Sequence, residues 1–469
     1  MTTVGGTSTA APAHVGTLVA RLRAAVADDL SEAAGHELSE EDRRELARTI
    51  VLERLHRLAA ELVEVGQAAL DPDEERRVAH AVLDALFGLG RLQALIDHPD
   101  VENIDVNGCD RVWITYADGI KAVSDPVADS DEELVEMLRS AAARFGLSER
   151  RFDLSHPELD LRLPDGSRLS ALMSVSKRPA ISIRRHRFVD LDLDDLVEMG
   201  GLDPVVASFL GAAVRARKNI VVGGAMNAGK TTLVRALASA IPPRERIVTI
   251  EQAFELGLDA LTERHPDLVA LEARPANAEG EGAISMARLV RRALRMNADR
   301  VIVGEVLGDE VLPMLNAMSQ GRSGSMCTIH ADSSLGIFRR LASYAVQAPE
   351  RLPLESTNLL IAGAVHFAVF IDAVDEVDPD RHAVSQRLGM DAFQLLEGRP
   401  FEALKRRRIV ASIQEVVGAE GLHVVANEVF RRDWSGSVQP GSPLRSTTLD
   451  ELVRHGYEPS RRGEATVGW

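Results

Sequence analysis

The sequence predicts an α/β protein: a parallel-sheet domain preceded by a smaller α+β domain and a helical N-terminal segment. Three observations carry that expectation. From about residue 197 to 374, short apolar runs alternate with helical stretches, the order that builds a parallel sheet with crossover helices. Between 71 and 188, short runs with period-two alternation dominate. From 15 to 67, apolar residues recur at helical spacing.

Composition bounds the function. The chain has 469 residues, enough for about three domains. Hydrophobic residues make up 45%, which supports sizeable cores. Asp and Glu number 71 against 54 Lys and Arg, a formal net charge of −17 that argues against a general nucleic-acid coat. Aromatic residues are 4%, too few for stacking on bases to dominate. The two cysteines, Cys109 and Cys327, form no C-x-x-C pair, so a disulfide scaffold and a cysteine zinc site are excluded and a reducing cytosol is expected. The first 14 residues are small and polar, without the basic and apolar regions of a secretory signal. The longest apolar run, 359–371, is too short to cross a bilayer.

The elements follow in order. Residues 1–70 read as a disordered start and a helical segment. Ser39-Glu40-Glu41-Asp42 resembles a capping box that opens a helix bearing Leu46, Ile50, Leu52, Leu55, Leu58 and Leu62. Its apolar stripe suits either an arm that packs on a partner or a subdomain packed on its own chain. Residues 71–188 read as an α+β domain. A helix ends near 88, strands are expected at 101–106, 111–116 and 120–123, and a helix at 130–145. Strands at 159–163 and 168–175 flank Pro164-Asp165-Gly166-Ser167, a hairpin signal, and 180–185 closes the set. Acidic 189–196 reads as a linker. Residues 197–374 are the parallel α/β domain. Residues 375–469 read as a C-terminal hairpin around Gly418 and Gly421 and a loose tail after Trp434.

The sharpest motif is Gly224-Ala225-Met226-Asn227-Ala228-Gly229-Lys230-Thr231, a full G-x-x-x-x-G-K-S/T followed by Thr232. Glycines let the backbone curl so that its N–H groups point at phosphates. The lysine reaches the terminal phosphates, and the threonine hydroxyl ligates Mg²⁺. A strand at 219–222 leads in and a helix at 231–240 leads out, which is the context the motif needs.

Three strand ends supply further candidates. The run 300–305 ends in Glu305, at the carboxyl edge where open α/β sheets place ligands. Glu305 is placed to orient the attacking water or to hold Mg²⁺ through water, or else to cap a helix. The strand 246–250 is followed by Glu251 and Glu255, a second acid pair. The run 324–330 ends in His330, an imidazole able to sense a terminal phosphate, although a lone histidine is more often structural. Cys327 reads as a small buried residue of that strand.

In this order the motifs resemble the type II/type IV secretion ATPase superfamily, and within it the CpaF/TadA-like branch of tight-adherence pilus ATPases. The resemblance runs from about 75 to 430. Its Walker A box is 224–231 and its Asp box is Thr249-Ile250-Glu251-Gln252-Ala253-Phe254-Glu255-Leu256. Its Walker B box is 295–305 and its His box is 324–331. The α+β domain matches through Val106-Asn107-Gly108, the stretch 160–168 and Ser182-Ile183-Arg184. The resemblance implies a RecA-like P-loop motor domain, hinged to the N-terminal domain near 189–196 and assembled as a homo-oligomer, a hexamer in the family's pattern. It implies ATP and Mg²⁺ as ligands, with nucleotide between the domains. Lys230 and Thr231 carry over directly. Glu251 and Glu305 carry over as the Asp-box and Walker B acids, one of which activates water, with Thr231 and Glu251 toward the metal. Gly224, Asn227, Ala228, Gly229, Thr232, Arg162 and Arg168 are implied on the nucleotide, and His330 and Arg184 as reporters of its phosphate. Arg274 and Asn277 fall in or beside a matching stretch without an assigned role.

The implied output is work on an inner-membrane platform protein, in pilus assembly or secretion, by a cytoplasmic protein only peripherally attached to the membrane. No nucleic-acid partner is expected. Gln252, Leu307 and Arg322 depart from the family's usual residues, and 253–265 is longer than its counterpart. A RecA-like DNA translocase is the first alternative, kept by the cluster Arg184-Arg185-His186-Arg187. An ATP-binding scaffold with little turnover is the second, kept by Gln252 and Leu307. A small-molecule kinase is weaker, since no acceptor-binding insert is evident.

Overall fold

The computed structural model describes residues 11–33, 39–64, 66, 68–117, 120–145, 151–185, 190–274, 276, 280–319, 323–377, 404–433 and 438–459. The chain divides into two compact units, Met1–Ala117 with Lys121–Arg185, and His186–Trp469 with Asp118–Ile120.

The first unit opens with three helices, α1 (Ala11–Ala33), α2 (Glu40–Glu64) and α3 (Pro72–Phe87). Ser39 caps α2 by accepting the Asp42 amide at 3.1 Å. Asp71 caps α3 in a full capping box with Glu74, and Pro72 takes the first helical position. Val26, Val51, Leu55, Val78 and Val82 are buried together, so the stripe on α2 packs on its own chain. The helix expected to open the α+β domain therefore shares a core with the N-terminal segment. The reason is spacing: Val78 and Val82 lie one turn apart on one face of α3 and meet α1 and α2.

After α4 (Arg91–Asp97) come β1 (Val101–Asn107), β2 (Val112–Tyr116), β3 (Lys121–Ser124) and α5 (Asp131–Phe145). Then follow β4 (Glu158–Arg162), β5 (Arg168–Leu172) and β6 (Ala180–Arg184). They form a six-stranded antiparallel sheet in the order β3-β2-β1-β6-β5-β4. Leu159, Leu161, Leu169, Ala171, Ile181 and Ile183 are buried at alternate positions, as period two demands. The β4–β5 turn takes the expected form, with Asp165 accepting the Ser167 amide at 3.0 Å and Gly166 at φ +85°.

The second unit begins with α6 (Leu193–Glu198) and α7 (Pro204–Arg215). The acidic stretch expected as a linker is in part a helix start. Asp192 accepts the amides of Asp194 and Asp195, so the acids serve the helix N-terminus. Six strands then alternate with helices: β7 (Ile220–Gly224), α8 (Lys230–Ala238), β8 (Ile247–Glu251), β9 (Leu268–Glu272), α9 (Met286–Ala293) and β10 (Arg300–Val306). α10 (Val311–Ser319), β11 (Met326–His330), α11 (Ser334–Gln347), α12 (Leu354–Ala364) and β12 (Phe367–Val377) complete the series. β13 (Leu404–Glu420), β14 (His423–Arg432), β15 (Val438–Pro440) and α13 (Ser446–Arg454) follow. The sheet has nine strands in the order β15-β14-β13-β12-β7-β11-β10-β8-β9. β7 to β12 pair in parallel, and β13 to β15 extend them antiparallel.

The hairpin expected as a separate C-terminal piece is thus part of the same sheet, and the tail expected to be loose carries a strand and a helix. Aromatic packing explains it: Phe209 of α7 meets Phe367, Phe430 and Tyr457 edge-on, with ring centroids 5.0, 5.0 and 5.5 Å away. The apolar run at 359–371 is the end of α12 and the start of β12, and no single helix among the described residues is long and apolar enough to cross a membrane. Buried Asn219 fixes the strand starts by donating to the carbonyls of Met318 and Ala364 and accepting the amides of Gly324 and Ser325.

Candidate functional site

The strand order β7-β11-β10-β8 sets four chain segments side by side at one edge of the sheet. The glycine loop follows β7, His330 ends β11, Glu305 is near the end of β10, and Glu251 ends β8. The strands are mostly apolar and buried on both faces, and Glu251, Glu305 and His330 stand at or near their carboxyl ends.

Two glycines are required by the loop. A side chain on Gly224 would place its Cβ 2.4 Å from the Ile371 carbonyl oxygen, so β12 and β7 approach only without one. Gly229 has φ +96° and starts α8 with no side-chain cap, leaving the first amides of that helix without a side-chain acceptor. Lys230 and Thr231 lie in this first turn with Thr232, and Ala228 is fully buried beneath it. Asn227 has φ +61°, and its side-chain oxygen is buried without a hydrogen-bond partner.

Lys230, His330 and Glu305 form one connected group. The Lys230 ammonium, only 8% exposed, donates to the Ala225 carbonyl at 3.0 Å and lies 3.1 Å from His330 Nδ1 and 3.9 Å from Glu305 Oε1. His330 Nε2 is 2.9 Å from Glu305 Oε1. An ammonium has only protons to offer, so Nδ1 accepts and Nε2 is the nitrogen that faces the Glu305 carboxylate. The histidine thereby links the lysine to the acid.

The two acids after β8 differ in kind. Glu251 is buried, and its Oε1 accepts the amides of Glu255 at 2.9 Å and Leu256 at 2.8 Å. Burial pushes its carboxyl up to about 7, against those two hydrogen bonds. Glu255 is the acid beside the loop, accepting from the Thr231 hydroxyl at 3.3 Å. Of the two acids, Glu255 rather than Glu251 is the one in contact with the Thr231 hydroxyl. Glu251 instead closes its own turn, with Oε1 occupied by two backbone amides.

Arg235, one turn beyond Thr231 on α8, completes that turn. It donates to the carbonyls of Leu256, at 2.8 Å, and Glu255, while Glu251 takes the amides of the same two residues. Sequence reading passed over it, because a helical arginine four residues after a phosphate-loop threonine carries no motif. Arg408 was missed for a different reason: β13 delivers it from far along the chain, and its Nε donates to the Asn227 carbonyl at 3.0 Å. Glu310 was missed as well. It closes the turn after β10 by accepting the amides of Leu307 and Gly308, which leaves the Leu307 side chain exposed.

The remaining candidates belong to other elements. Arg162, Arg168 and Arg184 belong to the first unit. Their register pairs Arg162 with Arg168 and Arg168 with Arg184, one row across β4, β5 and β6. Arg274 closes its own loop by donating to the Gly282 carbonyl at 2.9 Å. Asn277, Arg322 and the pair His186-Arg187 lie outside the described residues. Gln252 is exposed. The long stretch 253–265 buries Leu256 and Leu258 in the core, and Arg264 pairs with Asp190 at 3.1 Å. Cys327 is buried in β11 and its thiol is pushed up by burial.

The residues present fit a phosphate with a divalent cation. The loop and uncapped α8 terminus are an anion cradle beside a nearly buried ammonium. The Thr231 hydroxyl and the Glu255 carboxylate are the oxygen donors that would face such a cation. Among the described residues no three His, Cys, Asp or Glu side chains cluster to hold a metal.

The sequence pattern of the type II/IV secretion system protein family matches residues 87–380. A Mycobacterium tuberculosis protein described as a conjugal transfer protein is 37% identical over 257 residues, covering 53% of this chain and 70% of its own length. The type IV secretion system protein PtlH of Bordetella pertussis is 31% identical over 314 residues, covering 61% of this chain and 89% of its own. The crystal structure of the VirB11 ATPase from Brucella suis, in complex with sulphate, is 28% identical and covers 62% of this chain and 92% of its own, with a TM-score of 0.32. By the extent of these matches, this chain belongs to the type II/IV secretion system protein family.

Proposed function

We propose that this chain is a Mg²⁺-dependent ATP hydrolase, a motor of the CpaF/TadA-like kind that powers pilus assembly or protein secretion. The observation that carries the reading is the group Lys230–His330–Glu305 at the mouth of the glycine loop. The loop amides and Lys230 bind the phosphates, with Lys230 exchanging its present partners for phosphate oxygens. Mg²⁺ held by Thr231 and Glu255 would supply charge neutralisation on the phosphates. Glu305, partly exposed and tied to His330, accepts a proton from water and aims it at the terminal phosphorus. The bond from that phosphorus to the leaving diphosphate breaks, giving ADP and phosphate. His330, bonded to both Lys230 and Glu305, is placed to register loss of the phosphate.

The wider reading rests on the family. The relatives are named for conjugal transfer and type IV secretion. In this reading the chain is a cytoplasmic homo-oligomer, a hexamer, acting on an inner-membrane platform protein. The arginine row Arg162, Arg168 and Arg184 contributes to nucleotide binding, with Arg184 reporting the phosphate. The test is Mg²⁺-dependent ATP hydrolysis by the purified protein as a function of its own concentration, beside Lys230→Ala. Expected are loss of turnover in the variant and specific activity that rises with concentration. Equal turnover in K230A would refute the site. Nucleotide binding without turnover at any concentration would favour the scaffold. Salt-sensitive stimulation by DNA would favour the translocase.

A further inference from the structure

The C-terminal hairpin reaches the glycine loop. Arg408 lies on β13, which pairs with β12 so that Arg408 faces Ala373 and Val410 faces Ile371. Its Nε donates to the Asn227 carbonyl at 3.0 Å. Its Cδ lies 3.1 Å from where a Cβ on Gly229 would be, so the stem lies flat on that glycine. Asn227 and Gly229 are two consecutive left-handed points of the loop flanking Ala228, at φ +61° and +96°. A left-handed asparagine is tolerated but carries a conformational cost. In a phosphate loop the amides turn inward, so the carbonyls face away from the ligand. A donor on the Asn227 carbonyl therefore braces the loop from behind.

Arg408 is itself held in place. The Val410 amide donates to the Gly201 carbonyl at 3.2 Å, and Arg407 reaches the Gly200 carbonyl at 3.4 Å. A Cβ on Gly201 would lie 2.9 Å from the Arg408 carbonyl oxygen, so the strand and the turn before α7 are in direct contact. Residues 407–410 of β13 thus touch both the segment between α6 and α7 and the tip of the glycine loop.

We infer that Arg408 is a positioning residue for nucleotide binding: it holds the Asn227 peptide so that the loop amides stay turned toward the phosphates. The inference rests on the ATP reading above. Its removal frees one hydrogen bond and one packing contact at a strained peptide, so the effect falls on affinity more than on the chemical step.

The experiment compares the full-length protein with Arg408→Gln, Arg408→Lys and Lys230→Ala. Affinity for fluorescently labelled ADP with Mg²⁺, kcat at saturating ATP and the thermal midpoint are measured for each. R408Q is expected to weaken ADP roughly two- to tenfold, the range of one net hydrogen bond. R408K, whose ammonium still donates to a carbonyl, is expected to fall between R408Q and wild type. Both keep kcat within about twofold and a thermal midpoint close to wild type. The inference is overturned if R408Q binds ADP as wild type does, if R408K is as weak as R408Q, or if affinity is lost only in step with the thermal midpoint. Wild type that binds no nucleotide, or K230A that binds as well as wild type, would instead sink the ATP reading and this inference with it.

Discussion

Glu251 and Glu305 sit near the ends of adjacent parallel strands, yet they live in different chemistry. Glu305 is partly exposed and keeps its carboxylate between His330 and Lys230. Glu251 is buried and closes its own turn, with a carboxyl pushed up to about 7 by desolvation. A strand-end acid is thus not a role. Solvation and partners decide whether it faces water and a phosphate or a pair of backbone amides.

The largest expected effect tests which acid acts on water. Glu305→Gln keeps the shape and removes the base, so kcat should fall by about two to four orders of magnitude, with nucleotide affinity changed less than about threefold. Steady-state hydrolysis beside a binding titration measures this. If Glu251→Gln shows that loss and E305Q does not, the comparison is reversed.

Next comes the cation. Glu255→Gln leaves the Thr231 hydroxyl a weaker partner, and the Mg²⁺ concentration for half-maximal hydrolysis should rise about 10- to 100-fold. Saturating Mg²⁺ should recover most of the turnover. An unchanged Mg²⁺ requirement would return the metal role to another group.

The third prediction concerns pH. The Glu251 carboxyl is raised in the folded state from 4.5 to about 7, so the folded protein binds the extra proton between those values. Stability from this group is present below the unfolded value and is lost as pH rises through about 7. Relative to E251Q, whose amide oxygen still accepts both backbone bonds, wild type should lose about 3 kcal/mol between pH 4.5 and 8, an order-of-magnitude figure. Denaturant unfolding of both proteins across that range gives the difference, and a flat difference would mean that Glu251 is ionised and solvated throughout. The smallest effect belongs to the same variant: kcat of E251Q at pH 7 should stay within about threefold of wild type, because the turn it closes is kept.

Much of this was legible in sequence where the signal is local. The glycine loop, its lysine and threonine, the strands ending in Glu305 and His330, and the Pro164–Ser167 hairpin each announce themselves within a few residues, because turn conformation and strand burial are set by near neighbours. What escaped has partners distant in the chain. α3 looked like the start of the sheet domain, yet Val78 and Val82 complete a core with α1 and α2. The hairpin at 404–432 looked like an appendage, yet it extends the parallel sheet and lays Arg408 on the loop. Arg235 carries no motif, since its task is to hold two carbonyls of a turn some twenty residues on.

The sequence by itself determined the kind of chemistry this chain is equipped for: a backbone cradle for phosphate, one lysine, one hydroxyl and several acids at strand ends. Tertiary structure alone decided what surrounds each of those acids. Burial sent Glu251 into a turn, left Glu255 beside Thr231 and set Glu305 against His330. Desolvation and hydrogen-bond partners depend on what packs around a group, and no local spacing encodes them.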